Sequence, residues 1–165
     1  MTDLDNERGC VIYGDVIGNL PLVPRMHIYG SALFKNLPDR EFPKLMVVRE
    51  NLHIMNCKNF ERITDDTVVS SWVKITGCPK FKGIFNRGFM KDSLIILDCE
   101  SFYHLPENLK IAGSLCVAGC PSFKNLPENL VVLGDVSVSN NVAWPQRYNV
   151  FGQINFYDRV QLRTD

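Results

Sequence analysis

Apolar residues recur in pairs separated by one position, Leu52/Ile54, Val73/Ile75, Leu94/Ile96 and Leu115/Val117, each pair 21 residues after the last. Such alternation predicts a short strand with one buried face. Each pair is followed at fixed distances by Cys57, Cys78, Cys99 and Cys120, then by Phe60, Phe81, Phe102 and Phe123, then by Ile63, Ile84, Leu105 and Leu126. Three ladders on one period define a unit, apolar-x-apolar-x-x-Cys-x-x-Phe-x-x-Leu, continued in some copies as Pro-Glu-Asn-Leu.

The frame extends in both directions. Val136, Val138, Asn141 and Trp144 continue it, and Ile154, Phe156, Arg159 and Leu162 repeat it after a shorter spacing. Toward the start, "HIYGSALFKNLP" aligns with "CVAGCPSFKNLP", which gives Ser31 the Cys position and Phe34 the Phe position, and "CVIYGDVIGNLP" reads as a degenerate first copy. A strand that occurs once per repeat pairs with its counterpart in the next copy, so the copies stack in parallel as a solenoid. A weaker alternation at Leu109/Ile111, Leu130/Val132 and Tyr148/Val150 predicts further short extended segments, with Gly113, Gly134 and Gly152 as permissive corners. The expected organisation is a single repeat domain over residues 1–165: a polar N-terminal cap at 1–9, repeats over 10–162 and a tail at 163–165. A parallel stack has two open edges, so the chain is expected either as a monomer with covered edges or as an edge-to-edge homodimer.

These residues resemble the leucine-rich repeat, with its L-x-x-L-x-L-x-x-N/C-x-L pattern. "LPENLKIAGSLCVAGCPSFKNLPENL" looks like the short Leu-Pro variety of bacterial effectors and phage-encoded proteins. Phe replaces the usual Leu after the Cys, and the copies between residues 37 and 52 and between 63 and 94 lack the Leu-Pro turn. The resemblance implies a mainly β, right-handed leucine-rich-repeat-like solenoid of about seven repeats, each of roughly 21 residues, with a parallel sheet and short extended outer segments.

Solenoids of this kind use the open face of the sheet for recognition. One outward column is read as His27, His53, Lys74, Ile95, Cys116, Ser137 and Asn155; a second as Tyr29, Met55, Thr76, Leu97, Ala118, Ser139 and Tyr157. Asn56, Asp98, Asn140 and Asp158 stand beside the second. Aromatic, Met and aliphatic side chains next to His and Asn suit a protein-binding patch. The candidate contact residues are His27, Tyr29, His53, Met55, Lys74, Thr76, Ile95, Leu97, Asp98 and Tyr157. His27 and His53 are expected side by side, with contact rather than catalysis or metal binding as their role.

Composition narrows the function classes. Eighteen basic and eighteen acidic residues cancel, which removes the global field that draws proteins to nucleic acid. The polar start "MTDLDNERG" differs from a secretory signal, and no apolar run approaches the roughly 20 residues of a membrane helix. The expected location is therefore cytoplasmic, in the producing cell or an infected host. Equivalent positions of stacked copies lie about 5 Å apart along a line, whereas zinc needs ligands around a point; the four ladder cysteines are expected to be reduced and buried, with no metal. Cys116 faces outward. No phosphate-binding loop, nucleophile elbow or H-E-x-x-H pair occurs. Asp65, Asp66, Arg87 and Lys91 fit solvated turns.

The expected function is a non-enzymatic module, without cofactor, that binds another protein and neither nucleic acid nor membrane. By resemblance, that protein is a host factor inhibited by occlusion. Two alternatives are the targeting portion of an enzyme such as a ubiquitin-ligase effector, and a small enzyme or metal site using His27 and His53 with Cys10 or Cys116.

Overall fold

The computed structural model describes residues 9–85 and 88–157. Arg87, Asp158, Arg159, Leu162, most of the predicted N-terminal cap and the predicted tail lie outside the described residues. The chain is a β-solenoid of about six turns at a spacing of about 21 residues, and its described residues form strands and no helix. Among the described residues, no helix is long and apolar enough to cross a membrane.

Eight strands form the main sheet, in chain order and all parallel: Val16–Ile17, Ala32–Lys35, Leu52–Met55, Val73–Thr76, Leu94–Leu97, Leu115–Ala118, Val136–Ser139 and Ile154–Tyr157. The register follows the predicted ladder: Leu52, Val73, Leu94, Leu115 and Val136 are successive partners. The end copies are shorter, with 16 residues from Val16 to Ala32 and 18 from Val136 to Ile154. The second side carries two four-stranded sheets, one running from Val11–Ile12 to Thr67–Val69 and the other from Phe89–Met90 to Tyr148–Val150. A crevice of about 200 Å³, lined by Ile63, Thr67, Val73 and Met90 among others, lies where the two sheets part. The third side pairs Arg62–Thr64 with Gly83–Phe85 and continues as isolated bridges.

Inside, the ladders become columns. The Phe rings stack with centroids 6.0 Å apart between Phe60 and Phe81, 5.7 Å between Phe81 and Phe102, and 5.1 Å between Phe102 and Phe123. At the next coil toward the N-terminus, Phe42 covers Phe60 at 4.9 Å. The four ladder cysteines are buried and free. Their thiols point at backbone carbonyls, Cys99 Sγ lying 3.3 Å from the Leu97 oxygen and 4.0 Å from that of Ile75 in the preceding coil. Cys120 repeats this with Ala118 and Ile96 at 3.3 and 3.8 Å. The thiol therefore satisfies a turn carbonyl while filling a small apolar space, the role predicted for it.

The last coil departs from the predicted frame. Asn125 pairs with Ala143, which places Trp144 beside Leu126 instead of beyond Phe123. Val142 is buried and its N–H reaches the Ser139 carbonyl at 3.1 Å, as that of Phe123 reaches Cys120, so Val142 holds the Phe position, while Asn141 is exposed. The coil is three residues short, and the deletion falls just after the strand, so the strand register survives it.

The corner glycines also have a different cause from the one expected. Positive φ is found at Asn36, Asn56, Gly77, Asp98 and Gly119, the residues that close successive main-sheet strands. Gly113, Gly134 and Gly152 are absent from that group. They sit where coils touch, with Gly134 donating its N–H to the Gly113 carbonyl at 2.8 Å. Gly-Asp-Val occurs at two of these corners, residues 14–16 and 134–136: Asp15 Oδ1 accepts the Ser31 N–H and Asp135 Oδ1 accepts the Gln153 N–H, each at 2.7 Å, tying one coil to the next.

Candidate functional site

The main sheet presents its alternate side chains outward in two rows. Pairing aligns Leu33, His53, Lys74, Ile95, Cys116, Ser137 and Asn155 in one row. The other holds Lys35, Met55, Thr76, Leu97 and Ala118, then Ser139 with Tyr157. Six of the predicted contact residues, His53, Met55, Lys74, Thr76, Ile95 and Leu97, thus lie together on four neighbouring strands, all half-buried. Asp98 caps one of these strands in a left-handed conformation with φ 54°. Tyr157 stands on the last strand, separated from the cluster by small residues.

His27 and Tyr29 do not belong to this face. His27 pairs with Val11 and Val47 on the second side. It stacks on Tyr29 at 4.8 Å, Tyr29 stacks on Tyr13 at 5.0 Å, and Arg49 Nε donates to His27 Nε2 at 2.9 Å. The expected juxtaposition of His27 with His53 is therefore absent. The cause is register: the shared Phe-Lys-Asn-Leu-Pro string is a coincidence of turn and strand, and the true match sets Gly30-Ser31 against Gly113-Ser114. Phe34 is an inward strand residue paired with Ile54, and Leu37, whose N–H reaches Cys57 Sγ at 3.3 Å, holds the Cys position that had been given to Ser31. Leu33 and Lys35 consequently take the places assigned to His27 and Tyr29. The signal was present, because His27-Ile28 matches Lys110-Ile111 in the same alignment.

The chain matches no family model, curated protein or solved structure. Its chemistry has to be read from its own surface.

Around His53 the surface is basic. His53 Nε2 lies 3.4 Å from Thr76 Oγ1, and its ring meets Trp72 edge-on at 6.4 Å. Burial, then the ammonium groups of Lys74 and Lys35, lower its pKa from the ordinary histidine value. No outward strand position from Ile17 to Tyr157 is acidic. Among the described residues, no group of three or more His, Cys, Asp or Glu side chains is arranged to hold a metal ion. Cys116 is half-buried, and desolvation raises its thiol pKa, which disfavours the reactive thiolate.

A separate ionic ladder, not foreseen from sequence, runs along the third side. Glu61 receives Lys82 Nζ at 2.9 Å and Arg40 Nε at 2.8 Å, with its own side chain only 8% exposed. The spacings of 21 residues on either side were its signal. Hydrogen bonds from Lys82 first, and then Arg40, hold the Glu61 carboxyl down to about 2. Because the folded value lies below the ordinary one, this contribution to stability is complete above about pH 4.5 and is lost as pH falls toward 2. In acid titrations followed by urea unfolding, the stability difference between wild type and Glu61→Gln should shrink through that window; a constant difference would show that Glu61 is not held by the ladder.

Proposed function

We propose that this protein is a non-enzymatic recognition module that binds another protein through the open face of its main sheet. The observation that carries the reading is continuity: eight strands in unbroken parallel register offer one broad surface, with Met55, Ile95 and Leu97 at its centre. The second side offers no such surface, since its two sheets are separate. In this reading the solenoid is of the short leucine-rich-repeat kind, a bacterial or phage protein that works in the cytoplasm of the producing cell or its host. It inhibits its target by covering it.

One observation favours a second reading. On the second side Tyr13, 82% exposed, stacks on Tyr29, 45% exposed, with ring centroids 5.0 Å apart. Pull-downs from candidate host lysates should separate the two, with partners captured by wild type then purified and their affinity measured. Met55→Ala/Ile95→Ala/Leu97→Ala should weaken binding at least about tenfold, a loss of about 1.4 kcal/mol or more, while Tyr13→Ala/Tyr29→Ala should leave it unchanged. The reverse pattern would move the recognition surface to the second side.

A further inference from the structure

The charges on the main face are unevenly placed. All outward positions on its eight strands are neutral or basic, and the basic ones, Lys35, His53 and Lys74, are neighbours. Lys74 lies directly across from His53, and Lys35 directly across from Met55 on the strand that carries His53. The two lysines therefore flank one strand from either side, offset by two residues along it and about 12 Å apart at the backbone. Neither has a carboxylate partner among the described residues, whereas Glu61 and Glu41 are paired with other cations. The chain as a whole is neutral. Two uncompensated ammonium groups beside a partly buried imidazole, on the surface proposed for recognition, create a local positive potential that net charge conceals.

An apolar strip adjoins this cluster. Ile95 and Leu97 follow Lys74 and Thr76 on the next strand, and Cys116 and Ala118 follow them. A ligand that satisfies both parts has carboxylates at one end and aliphatic side chains at the other. An interface in which a potential meets its opposite gains encounter rate and specificity, and repels basic competitors.

We propose that the partner presents an acidic protein segment to this face, with Asp or Glu carboxylates seated between Lys35 and Lys74 above His53 and Met55, and flanking aliphatic residues against Ile95 and Leu97. This rests on the reading of the main face as the recognition surface. The geometry favours carboxylates over the regularly spaced phosphates of a nucleic acid, because the basic cluster is confined to three strands and gives way to apolar side chains where a phosphate backbone would need further cations.

The probe is a library of random linear peptides displayed on phage and selected on the full chain at physiological salt, with single-stranded oligonucleotide as a parallel arm. Selected peptides should carry Asp or Glu beside aliphatic residues. Lys35→Glu/Lys74→Glu should bind them at least about tenfold less well, and should itself select peptides carrying Lys or Arg. Peptides that depend on Met55, Ile95 and Leu97 but ignore the two lysines overturn the acidic assignment and leave the face standing. If no peptide depends on either set, both readings fail. Oligonucleotide binding tighter than that of the selected peptides overturns the assignment in favour of phosphate. Unchanged circular dichroism and urea midpoint in the variants separate lost binding from lost fold.

Discussion

Truncating Phe102 to alanine should cost about 3–5 kcal/mol, the range for removing a fully packed phenyl ring. Phe102 is completely buried, with Phe81 on one side and Phe123 on the other, and its ring is parallel to that of Phe81. No rearrangement fills the gap easily. The rings are fixed one per coil, and the coil spacing is set by backbone hydrogen bonds that repeat through Leu94–Leu97 and its neighbours. A domain of this size has roughly 5–15 kcal/mol of stability to lose, so the variant is expected to unfold at much lower urea, with Phe102→Leu falling between it and wild type. A loss below about 1 kcal/mol would mean that the stack is a consequence of strand pairing and contributes little of its own.

Gly134→Ala is the second large effect, with an expected cost of about 1–3 kcal/mol from overpacking. A Cβ at Gly134 would meet the Gly113 carbonyl oxygen at 2.8 Å and its carbon at 2.9 Å, as well as Ser114 Oγ. The obstacle is mostly backbone, and the same atoms form the Gly134-to-Gly113 hydrogen bond that joins the coils. Relief requires the coils to separate at that corner, which lengthens the bond and disturbs the adjoining strands Leu130–Val132 and Val136–Ser139. Urea unfolding of the alanine variant measures the cost. A neutral result would show that the corner can open and that glycine is dispensable there.

These two predictions separate what could be read along the chain from what could not. The Phe and Cys ladders were legible because their side chains are buried and their spacing is constant; a buried column tolerates little change in residue type, so the period survives in the sequence. The reason for Gly134 was not legible. A glycine required by left-handed backbone and one required by close approach are the same letter, and only the position of the neighbouring coil distinguishes them.

The binding face shows the same division. His53, Met55, Lys74, Thr76, Ile95 and Leu97 fall together as expected because their copies keep the 21-residue period. The copy at residues 27–38 misled, since outward residues are under no packing constraint and a chance Phe-Lys-Asn-Leu-Pro match outweighed the Gly-Ser corner. Strand pairing brings Lys35 to this face beside Met55, and with it the second cation that acts on His53.

By itself the sequence determined a parallel β-solenoid, its period, its buried columns and the strands that make its broad face, because hydrophobic burial imposes a periodic pattern that composition cannot hide. Tertiary structure alone decided which side each end copy occupies, where the second side divides, and which charges become neighbours. Those outcomes depend on register between segments distant along the chain, and a short insertion or deletion in a solvent-facing turn shifts register at little cost in free energy.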